Sequence, residues 1–248
     1  MKNRVALVTG AGRGIGREAS LLLAAAGARV MGVARTEREL ATLGLDYVAA
    51  DLGTPEGCAR AVSETERRLG PIEVLVINHG IGSAHERLVW EQDPAVWRET
   101  MRINLDGPFE LARLAVGGMC QRGFGRVVFT SSTAGEKAER CGSAYTASKH
   151  GLIGLARAIA QDAGPFGVTS NAVLPGWVRT AMAERSAGTE AEKRGVSVAD
   201  VWRERAALYP SNRVLEPREV AEVIAFLCSE AAGGINGEAI TVALGGVW

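Results

Sequence analysis

The chain has 248 residues, of which 47% are hydrophobic and 31 are glycine. Lys plus Arg and Asp plus Glu both total 28, so the formal net charge is zero and no charge excess exists to attract nucleic acid or an anionic membrane surface. This length and composition fit one α/β domain over residues 1–248 better than two domains.

Two further features bear on the cellular compartment and on metals. The apolar run near the amino terminus ends at Thr9-Gly10, which is too short for a signal-peptide core or a membrane span, so a soluble, cytoplasmic protein is expected. The four cysteines lie far apart without a Cys-x-x-Cys pair, and the chain has three histidines. This spacing favours neither a zinc site nor a disulfide framework, and we expect no bound metal.

Short runs rich in β-branched residues alternate along the chain with longer stretches of amphipathic helical pattern. As strands they cover residues 4–8, 29–33, 47–50, 74–77, 126–129, 168–173 and 239–242. Strands separated by helix-length segments, several of them apolar on both faces, are typical of a parallel sheet covered by helices on two sides. The sequence therefore predicts a doubly wound, Rossmann-like α/β fold of about seven strands.

A cluster of glycines follows the first predicted strand and precedes a helical pattern at 17–26. The cluster reads Thr9-Gly10-Ala11-Gly12-Arg13-Gly14-Ile15-Gly16. Glycine permits a sharp turn and lets the backbone approach a pyrophosphate, whose charge the unpaired N–H groups at a helix start would meet. The spacing is Gly10-x-x-x-Gly14-x-Gly16 rather than G-x-G-x-x-G, so the cluster taken alone leaves a structural turn as the alternative.

The end of the second predicted strand bears on cofactor choice. It reads Gly32-Val33-Ala34-Arg35, with no carboxylate before Glu37. An acid near this point binds the ribose hydroxyls in the NAD-type fingerprint, whereas guanidinium groups suit a phosphate. Arg35, flanked by Arg13, therefore favours NADP(H) through its 2′-phosphate. NAD(H) stays possible, and two solvated surface arginines are the alternative interpretation.

Tyr145 and Lys149 lie four residues apart in the run Tyr145-Thr146-Ala147-Ser148-Lys149. On a helix this spacing puts a phenol and an ammonium on one face. A free tyrosine has a pKa of about 10, and a fixed positive charge nearby lowers it by favouring the phenolate. The pair is therefore a candidate proton donor, with ordinary helix surface as the alternative.

Further motifs follow the glycine cluster in a fixed order. They are Ala50-Asp51-Leu52, Asn78-His79-Gly80, Ile103-Asn104-Leu105, Thr130-Ser131-Ser132 and Pro175-Gly176-Trp177-Val178-Arg179-Thr180. Together with the tyrosine run, they resemble the short-chain dehydrogenase/reductase family over nearly the whole chain, in its single-domain branch and similar to the 3-oxoacyl-acyl carrier protein reductases. His79 departs from the alanine usual in the family at that position, and we expect it to be structural.

The resemblance implies an enzyme that transfers hydride between a nicotinamide and a ketone or secondary alcohol. It implies four catalytic residues, Ser132, Tyr145, Lys149 and Asn104, with the last holding a water that connects the lysine to solvent. Because Ser131 and Ser132 would point to opposite faces of a strand, only one can face the substrate, and the spacing favours Ser132. The cofactor contacts implied are Gly10, Gly12, Arg13, Gly14, Ile15, Gly16, Arg35, Asp51, Leu52, Asn78, Gly80, Tyr145, Lys149, Pro175, Gly176, Val178 and Thr180.

The stretch at about 177–213 has no clear place in the alternating pattern and is interpreted as a mobile, partly helical lid over the substrate site, or else as a plain helical insertion. Its larger apolar residues suggest a pocket for a hydrophobic or extended carbonyl compound, with packing of the lid as the alternative. These residues are Trp177, Met182, Trp202, Leu208 and Tyr209.

Two other functions stay open at this point. One is an NAD-dependent secondary alcohol dehydrogenase that works oxidatively, whereas an NADP(H) site favours a carbonyl or 3-oxoacyl reductase. The other is a cofactor-binding regulatory protein without turnover. The resemblance also implies a homotetramer, paired through two long helices at about 94–120 and 143–164.

Overall fold

A computed structural model describes residues 1–83 and 87–246, so that His85, to which the sequence assigns no role, lies outside the described residues. Within these ranges the strands are β1 (Val5–Thr9), β2 (Arg29–Ala34), β3 (Asp46–Ala49), β4 (Val74–Ile77), β5 (Gly125–Thr130), β6 (Val168–Pro175) and β7 (Ala239–Val242). The helices are α1 (Gly14–Ala25), α2 (Glu37–Leu40), α3 (Pro55–Leu69), α4 (Pro94–Met101), α5 (Gly107–Arg122), α6 (Ser143–Ala163), α7 (Ala181–Arg194), α8 (Val198–Ala207) and α9 (Pro217–Leu227).

The seven strands of the described residues form one sheet in the order β3-β2-β1-β4-β5-β6-β7. Every neighbouring pair is parallel. The order reverses between β1 and β4, and in a doubly wound sheet the carboxyl ends of the strands at this switch point form the ligand crevice. The predicted fold is confirmed, and each predicted strand agrees with the structure to within two residues.

Hydrophobic cores lie on both faces of the sheet. On one face, Leu7 and Leu75 of the sheet pack with Leu111 of α5 and Leu152 of α6. On the other face, Val8 packs with residues of α1 and α9. Because the central strands are covered on both sides, all five residues of β1 and all six of β5 are buried, which explains the apolar runs Val5–Val8 and Val127–Phe129 within them.

The segment predicted as a lid folds largely into α7 and α8. Thr180 begins α7 as its N-cap, since its hydroxyl accepts a hydrogen bond from the Ala183 N–H at 3.2 Å. Ser197 begins α8 with a capping box completed by Asp200. The two helices share a small separate core that includes Ala187, and this region agrees with a helical insertion.

No helix among the described residues combines the length and the apolar character needed to cross a membrane.

Candidate active site

A cavity of about 520 Å³ opens at the carboxyl ends of the strands, at the switch point between β1 and β4. Most residues predicted to contact the cofactor line it: Gly10, Gly12, Arg13, Gly14, Ile15, Arg35, Asp51, Leu52, Asn78, Gly80, Pro175, Gly176, Val178 and Thr180. Ser132, Tyr145 and Lys149 line the same cavity. The structure thus brings together residues that the chain separates by up to 170 positions.

The loop between β1 and α1 has the backbone of an anion site. Gly10 and Gly14 adopt positive φ angles of 65° and 56°, which L residues rarely adopt. The first turn of α1 contains no acidic residue, and Arg13 makes no side-chain cap, so the helix N–H groups face the cavity without an internal acceptor. Gly16 does not line the cavity. A Cβ at Gly16 would lie 2.4 Å from the Gly10 carbonyl oxygen, so this glycine permits the turn itself.

Thr9 joins this loop to the end of β4. Its Oγ1 accepts hydrogen bonds from the backbone N–H groups of Asn78 at 2.9 Å and His79 at 3.2 Å, and it lies 2.8 Å from His79 Nδ1. Burial lowers the pKa of His79 to about 3, helped by the positive charge of Lys149. His79 is therefore neutral at physiological pH and hydrogen-bonded to the sheet, in agreement with the structural role expected for it.

The candidate proton donor lies on the first two turns of α6. Lys149 is 5% exposed, and its Nζ donates to the Thr130 carbonyl oxygen at 3.0 Å. The same Nζ lies 5.5 Å from the centroid of the Tyr145 ring. Burial lowers the pKa of Lys149 to about 8. An ammonium thus lies beside the phenol in the cavity wall, as the four-residue spacing predicts.

The neighbouring serines have different partners. The Ser131 hydroxyl is buried and donates to the Lys149 carbonyl oxygen at 2.8 Å, which ties the end of β5 to α6. Ser132 Oγ accepts a hydrogen bond from the Ala134 N–H at 3.1 Å, so its own O–H can donate toward the cavity. This geometry favours Ser132 as the serine that meets the substrate.

Asn104 lies in a π-helical turn, Arg102–Asp106, between α4 and α5. Its side-chain amide accepts from the Ile81 N–H at 2.8 Å and donates to the Ile81 carbonyl oxygen at 2.9 Å and to Ser148 Oγ at 3.2 Å. The side chain thereby ties the loop after β4 to α6. Its predicted part in holding a water for the lysine stays a prediction.

Beside Arg13 the cavity wall contains an acidic residue that no sequence motif indicates. Glu39 of α2 lines the cavity, and its Oε1 accepts from Arg13 Nη1 at 3.0 Å. Arg35, which follows β2, is exposed and also lines the cavity. Glu39 lies 23 positions after Gly16, about the separation at which Rossmann folds place a ribose-binding acid, and that separation was the available signal.

The predicted apolar substrate pocket is correct for only part of its residues. Trp177 and Met182 line the cavity, but Trp202, Leu208 and Tyr209 do not. Trp202 Nε1 donates to Glu184 Oε2 at 2.9 Å, and the buried Tyr209 hydroxyl accepts from the Trp177 N–H at 2.6 Å. Leu208 is 53% exposed. For Trp202 and Tyr209 the structure agrees with the alternative interpretation, packing of this segment, because both lie in the small core that α7 and α8 share, whereas Leu208 lies on the surface.

Other residues on the substrate side were not predicted. They are Ile81, Gly82, Ser83, Glu139, Arg185 and Ser186. The indole of Trp177 makes a cation–π contact with Arg205, whose guanidinium carbon lies 3.6 Å from the centroid of the ring. No motif of the sequence indicates these positions, since they come from the loops after β4 and β5 and from α7.

Residues 10–246 match a family model described as enoyl-(acyl carrier protein) reductase. The chain is 34% identical over 244 residues to an acetoacetyl-CoA reductase of Shinella zoogloeoides, covering 96% of each protein. It is 32% identical over 249 residues to a 3-oxoacyl-acyl carrier protein reductase of Vibrio cholerae, covering 98% of this chain and 96% of the relative.

Solved structures resemble the whole fold. A levodione reductase superimposes with a TM-score of 0.93 at 30% identity, covering 99% of this chain and 98% of the other. A variant of the actinorhodin polyketide ketoreductase, solved with NADPH, superimposes with a TM-score of 0.91 at 32% identity and covers 98% of each chain.

Proposed function

The chain belongs to the short-chain dehydrogenase/reductase family, and from this membership we propose that it reduces a small-molecule ketone to a secondary alcohol with NADPH. It is an oxidoreductase that acts between CH–OH and C=O groups and binds a pyridine nucleotide. The observation that carries the proposal is the single cavity in which the Tyr145–Lys149 pair meets the glycine loop at the start of α1.

The residues present fit a dinucleotide. The glycine loop offers unpaired helix N–H groups to a pyrophosphate. Gly10 and Gly16 leave no room for a side chain, because an added Cβ would lie within 3.0 Å of neighbouring atoms, so the backbone itself forms this surface. Asp51 and Leu52 would hold the adenine, and Asn78 and Gly80 the adenosine side of the cofactor. Pro175 and Gly176, with Val178 and Thr180, would hold the nicotinamide. When bound, the nicotinamide supplies or accepts the hydride.

The chain's own residues supply position and a proton. Ser132 would donate a hydrogen bond to the carbonyl oxygen of the substrate, and the Tyr145 hydroxyl would protonate that oxygen during reduction. The Lys149 ammonium favours the phenolate that Tyr145 becomes, and it would also bind the nicotinamide ribose. Asn104 would hold the backbone of the loop after β4 in place and, as the resemblance implies, a water next to the lysine.

The preference for NADP(H) rests on charge at the ribose end of the cavity. Arg13 and Arg35 both line it, and guanidinium groups bind phosphate with paired donors. The solved ketoreductase with NADPH supports the same preference.

For the substrate we propose a 3-oxoacyl thioester or a cyclic ketone. The relatives are named for acetoacetyl-CoA and a 3-oxoacyl-acyl carrier protein, which are 3-oxoacyl thioesters, and for levodione, which is a cyclic diketone. Ile81, Trp177 and Met182 give the substrate side an apolar wall. We propose that residues 177–213 act as a lid that completes this wall, since Met182 and Ser186 of α7 border the cavity.

The test combines cofactor binding with turnover. Purified protein is titrated separately with NADPH and NADH, and oxidation of the reduced nicotinamide is then followed with a panel of β-keto thioesters, cyclic ketones and diketones. Tyr145→Phe should lower kcat by at least about 100-fold, the usual contribution of a positioned general acid, while NADPH still binds. Tyr47→Phe is the matched control, because Tyr47 lies on β3 outside the cavity.

Each outcome has a defined meaning. Turnover by Tyr145→Phe within threefold of the unaltered enzyme would exclude Tyr145 as the proton donor. Tight NADPH binding with no turnover on any member of the panel would support the non-catalytic regulatory protein. A clear preference for NAD with an alcohol would support the oxidative dehydrogenase.

We also propose that residues 1–248 form one domain and assemble as a homotetramer through α4, α5 and α6. The outward side of α5 exposes 51% of Phe109, which a second copy would cover.

A further inference from the structure

The Glu39 side chain contacts the glycine loop close to the end of β2. Glu39 Oε1 accepts from Arg13 Nη1 at 3.0 Å. Its Oε2 lies 2.9 Å from the position that a Cβ on Gly12 would take, and that same position lies 3.7 Å from the Cβ of Ala34, at the end of β2. The carboxylate therefore lies directly over the glycine loop, at its junction with β2.

This junction is where doubly wound folds distinguish NAD from NADP. An acid there binds the 2′-hydroxyl of the adenosine ribose, and an arginine there accommodates the 2′-phosphate. Here an acid and an arginine are in contact with each other, because Arg13, one of the two arginines proposed to meet the phosphate, is paired with the Glu39 carboxylate. The carboxylate carries the same sign of charge as the phosphate it would have to admit.

We propose that Glu39 sets the selectivity between NADP(H) and NAD(H). Its carboxylate occupies Arg13 in the free protein, repels a 2′-phosphate, and accepts a hydrogen bond from the 2′-hydroxyl of NAD(H). The inference rests on the proposed function, since it assumes that a pyridine nucleotide occupies this cavity. It makes the enzyme only moderately selective for NADP(H), despite the arginines.

The contacts around Glu39 determine how its carboxylate can move away from Arg13 when a phosphate binds. Leu40 is fully buried, and the Glu39 carbonyl oxygen accepts from Thr42 Oγ1 at 2.7 Å. Arg17 Nη1 in turn donates to Thr42 Oγ1 at 3.1 Å. These contacts hold the backbone of α2, so rotation of the Glu39 side chain is the simplest way for a 2′-phosphate to reach Arg13.

The alternative is an ordinary surface ion pair without influence on the cofactor. The Arg13 and Glu39 side chains are 52% and 33% exposed, and exposed pairs add little to stability. Both interpretations therefore expect Glu39→Gln to leave the melting temperature nearly unchanged. They differ in the binding of the two nucleotides.

The experiment measures the dissociation constants of NADPH and NADH by calorimetry for the unaltered protein, Glu39→Gln and the control Glu37→Gln. Glu37 lies on the same turn but does not line the cavity. Glu39→Gln should bind NADPH about tenfold more tightly, equivalent to about 1.4 kcal/mol, and NADH about threefold more weakly. The gain for NADPH should shrink as salt is raised, because it is electrostatic. Glu37→Gln should change either constant by less than twofold.

A second variant tests the route through Arg13. The gain from Glu39→Gln is therefore measured a second time in an Arg13→Gln background, by comparing Arg13→Gln with the double variant. If Glu39 acts by occupying that arginine, the gain for NADPH in this background should be mostly lost, so that the two effects are not additive. A full gain in the Arg13→Gln background would mean that repulsion of the phosphate acts without Arg13 and would overturn that part of the proposal.

The results separate this inference from the proposed function. If the unaltered protein binds neither nucleotide, the proposed function fails. If it binds both, and Glu39→Gln leaves the ratio of the two constants within twofold of its original value, the role of Glu39 is overturned while the reductase stands. If the unaltered protein prefers NADH but Glu39→Gln shifts the ratio toward NADPH, the NADP(H) preference is wrong and the role of Glu39 is supported.

Discussion

The Lys149 ammonium is buried in the wall of the candidate active site, and the Thr130 carbonyl oxygen is the acceptor of its hydrogen bond at 3.0 Å. Burial of a charge costs free energy unless it is well compensated, and its cost appears here as a pKa lowered to about 8. Groups perturbed in this way concentrate at functional sites, where chemistry requires them. The buried charge of Lys149 therefore lowers the stability of the protein, but it places the ammonium where the proton transfer proposed for Tyr145 requires it.

The pH dependence of stability follows from this pKa. The ordinary lysine pKa is 10.5, and in the folded protein it is about 8. Between these values the unfolded chain binds more protons than the native protein, so the free energy of unfolding rises with pH from about 8 to about 10.5. Below pH 8 the full penalty, about 3 kcal/mol, is present.

Lys149→Met should therefore be more stable than the unaltered protein at pH 7. Allowing about 1 kcal/mol for the lost hydrogen bond to Thr130, we expect a net gain of about 2 kcal/mol, and no rise attributable to this site above pH 8. Denaturant unfolding at pH 7 and pH 9.5 measures both effects. Lys193→Met, on exposed surface of α7, is the control and should show neither. A Lys149→Met protein less stable than the original at pH 7 would contradict the argument, and turnover should be lost in either case.

Residues in local motifs could be predicted from the sequence, and residues defined by packing could not. Tyr145, Lys149 and the glycine loop are contained in short runs whose spacing carries their chemistry. Glu39 lies 26 positions after Arg13 in the sequence, and the fold of α2 brings the two side chains into contact. A search for an acidic residue at the end of β2 does not extend as far as Glu39. Trp202 is a large apolar residue of the kind that lines pockets, but the direction of its side chain depends on how α7 and α8 pack.

At the scale of elements, the strands were predictable because local propensity and burial agree. Each central strand is a β-branched run that both cores cover, so the pattern is continuous and short. The lid lacks that agreement. The helix α7 has many small and charged residues, and its buried side consists of Ala183, Ala187 and Ala191. The buried and exposed sides of this helix therefore differ little in hydrophobicity, and the sequence pattern is weak.

A buried guanidinium on α8 connects the two helices of the proposed lid to Trp177 in the cavity wall. Arg205 is 4% exposed and donates to the Ala183 carbonyl oxygen at 3.1 Å and to Glu190 Oε2 at 2.9 Å. It also lies over the indole of Trp177 at 3.6 Å. One side chain thus connects α8 to α7 and to the residue after the Pro-Gly turn.

Arg205→Met should loosen this connection while nearly keeping the volume of the side chain. Removing Arg205 takes away its hydrogen bonds to Ala183 and Glu190 and its contact with the Trp177 indole, so we expect the free energy of unfolding to fall by about 2 kcal/mol. Glu190, whose side chain is 38% exposed, keeps its ion pair with Arg194 at 2.7 Å. The KM for the carbonyl substrate should rise, because Trp177 loses its support, while the dissociation constant of NADPH changes little. Thermal unfolding and steady-state kinetics measure these effects.

Arg203→Met is the matched control for that variant. Arg203 lies on the same helix, its side chain is 75% exposed, and it pairs with Asp200 at 2.7 Å. It should change neither stability nor KM appreciably. Equal effects of the two variants would mean that α8 responds to any change in charge, and the specific role of Arg205 would then be wrong.

At the scale of the whole molecule, the surface of α5 and α6 suggests how copies assemble. Both helices pack on the same face of the sheet, so their outward sides belong to one surface. Phe109 of α5 is 51% exposed, and the exposed small residues Gly117 and Gly154 lie on α5 and α6. A Cβ at either glycine would have no atom within 4 Å, so the subunit itself does not require glycine there. A closely packed second copy would.

Gly154→Arg should therefore break the proposed tetramer without harming the subunit. Replacing glycine within α6 by a better helix former favours the helix by up to about 1 kcal/mol, whereas an arginine at a close helix contact would separate the two copies. Sedimentation velocity at micromolar concentration should show tetramers for the unaltered protein and smaller species for Gly154→Arg. Gly188→Arg is the control, because Gly188 of α7 has equally open surroundings and should leave the tetramer intact. A monomeric unaltered protein would contradict the assembly, and a tetrameric Gly154→Arg would place the interface on another surface.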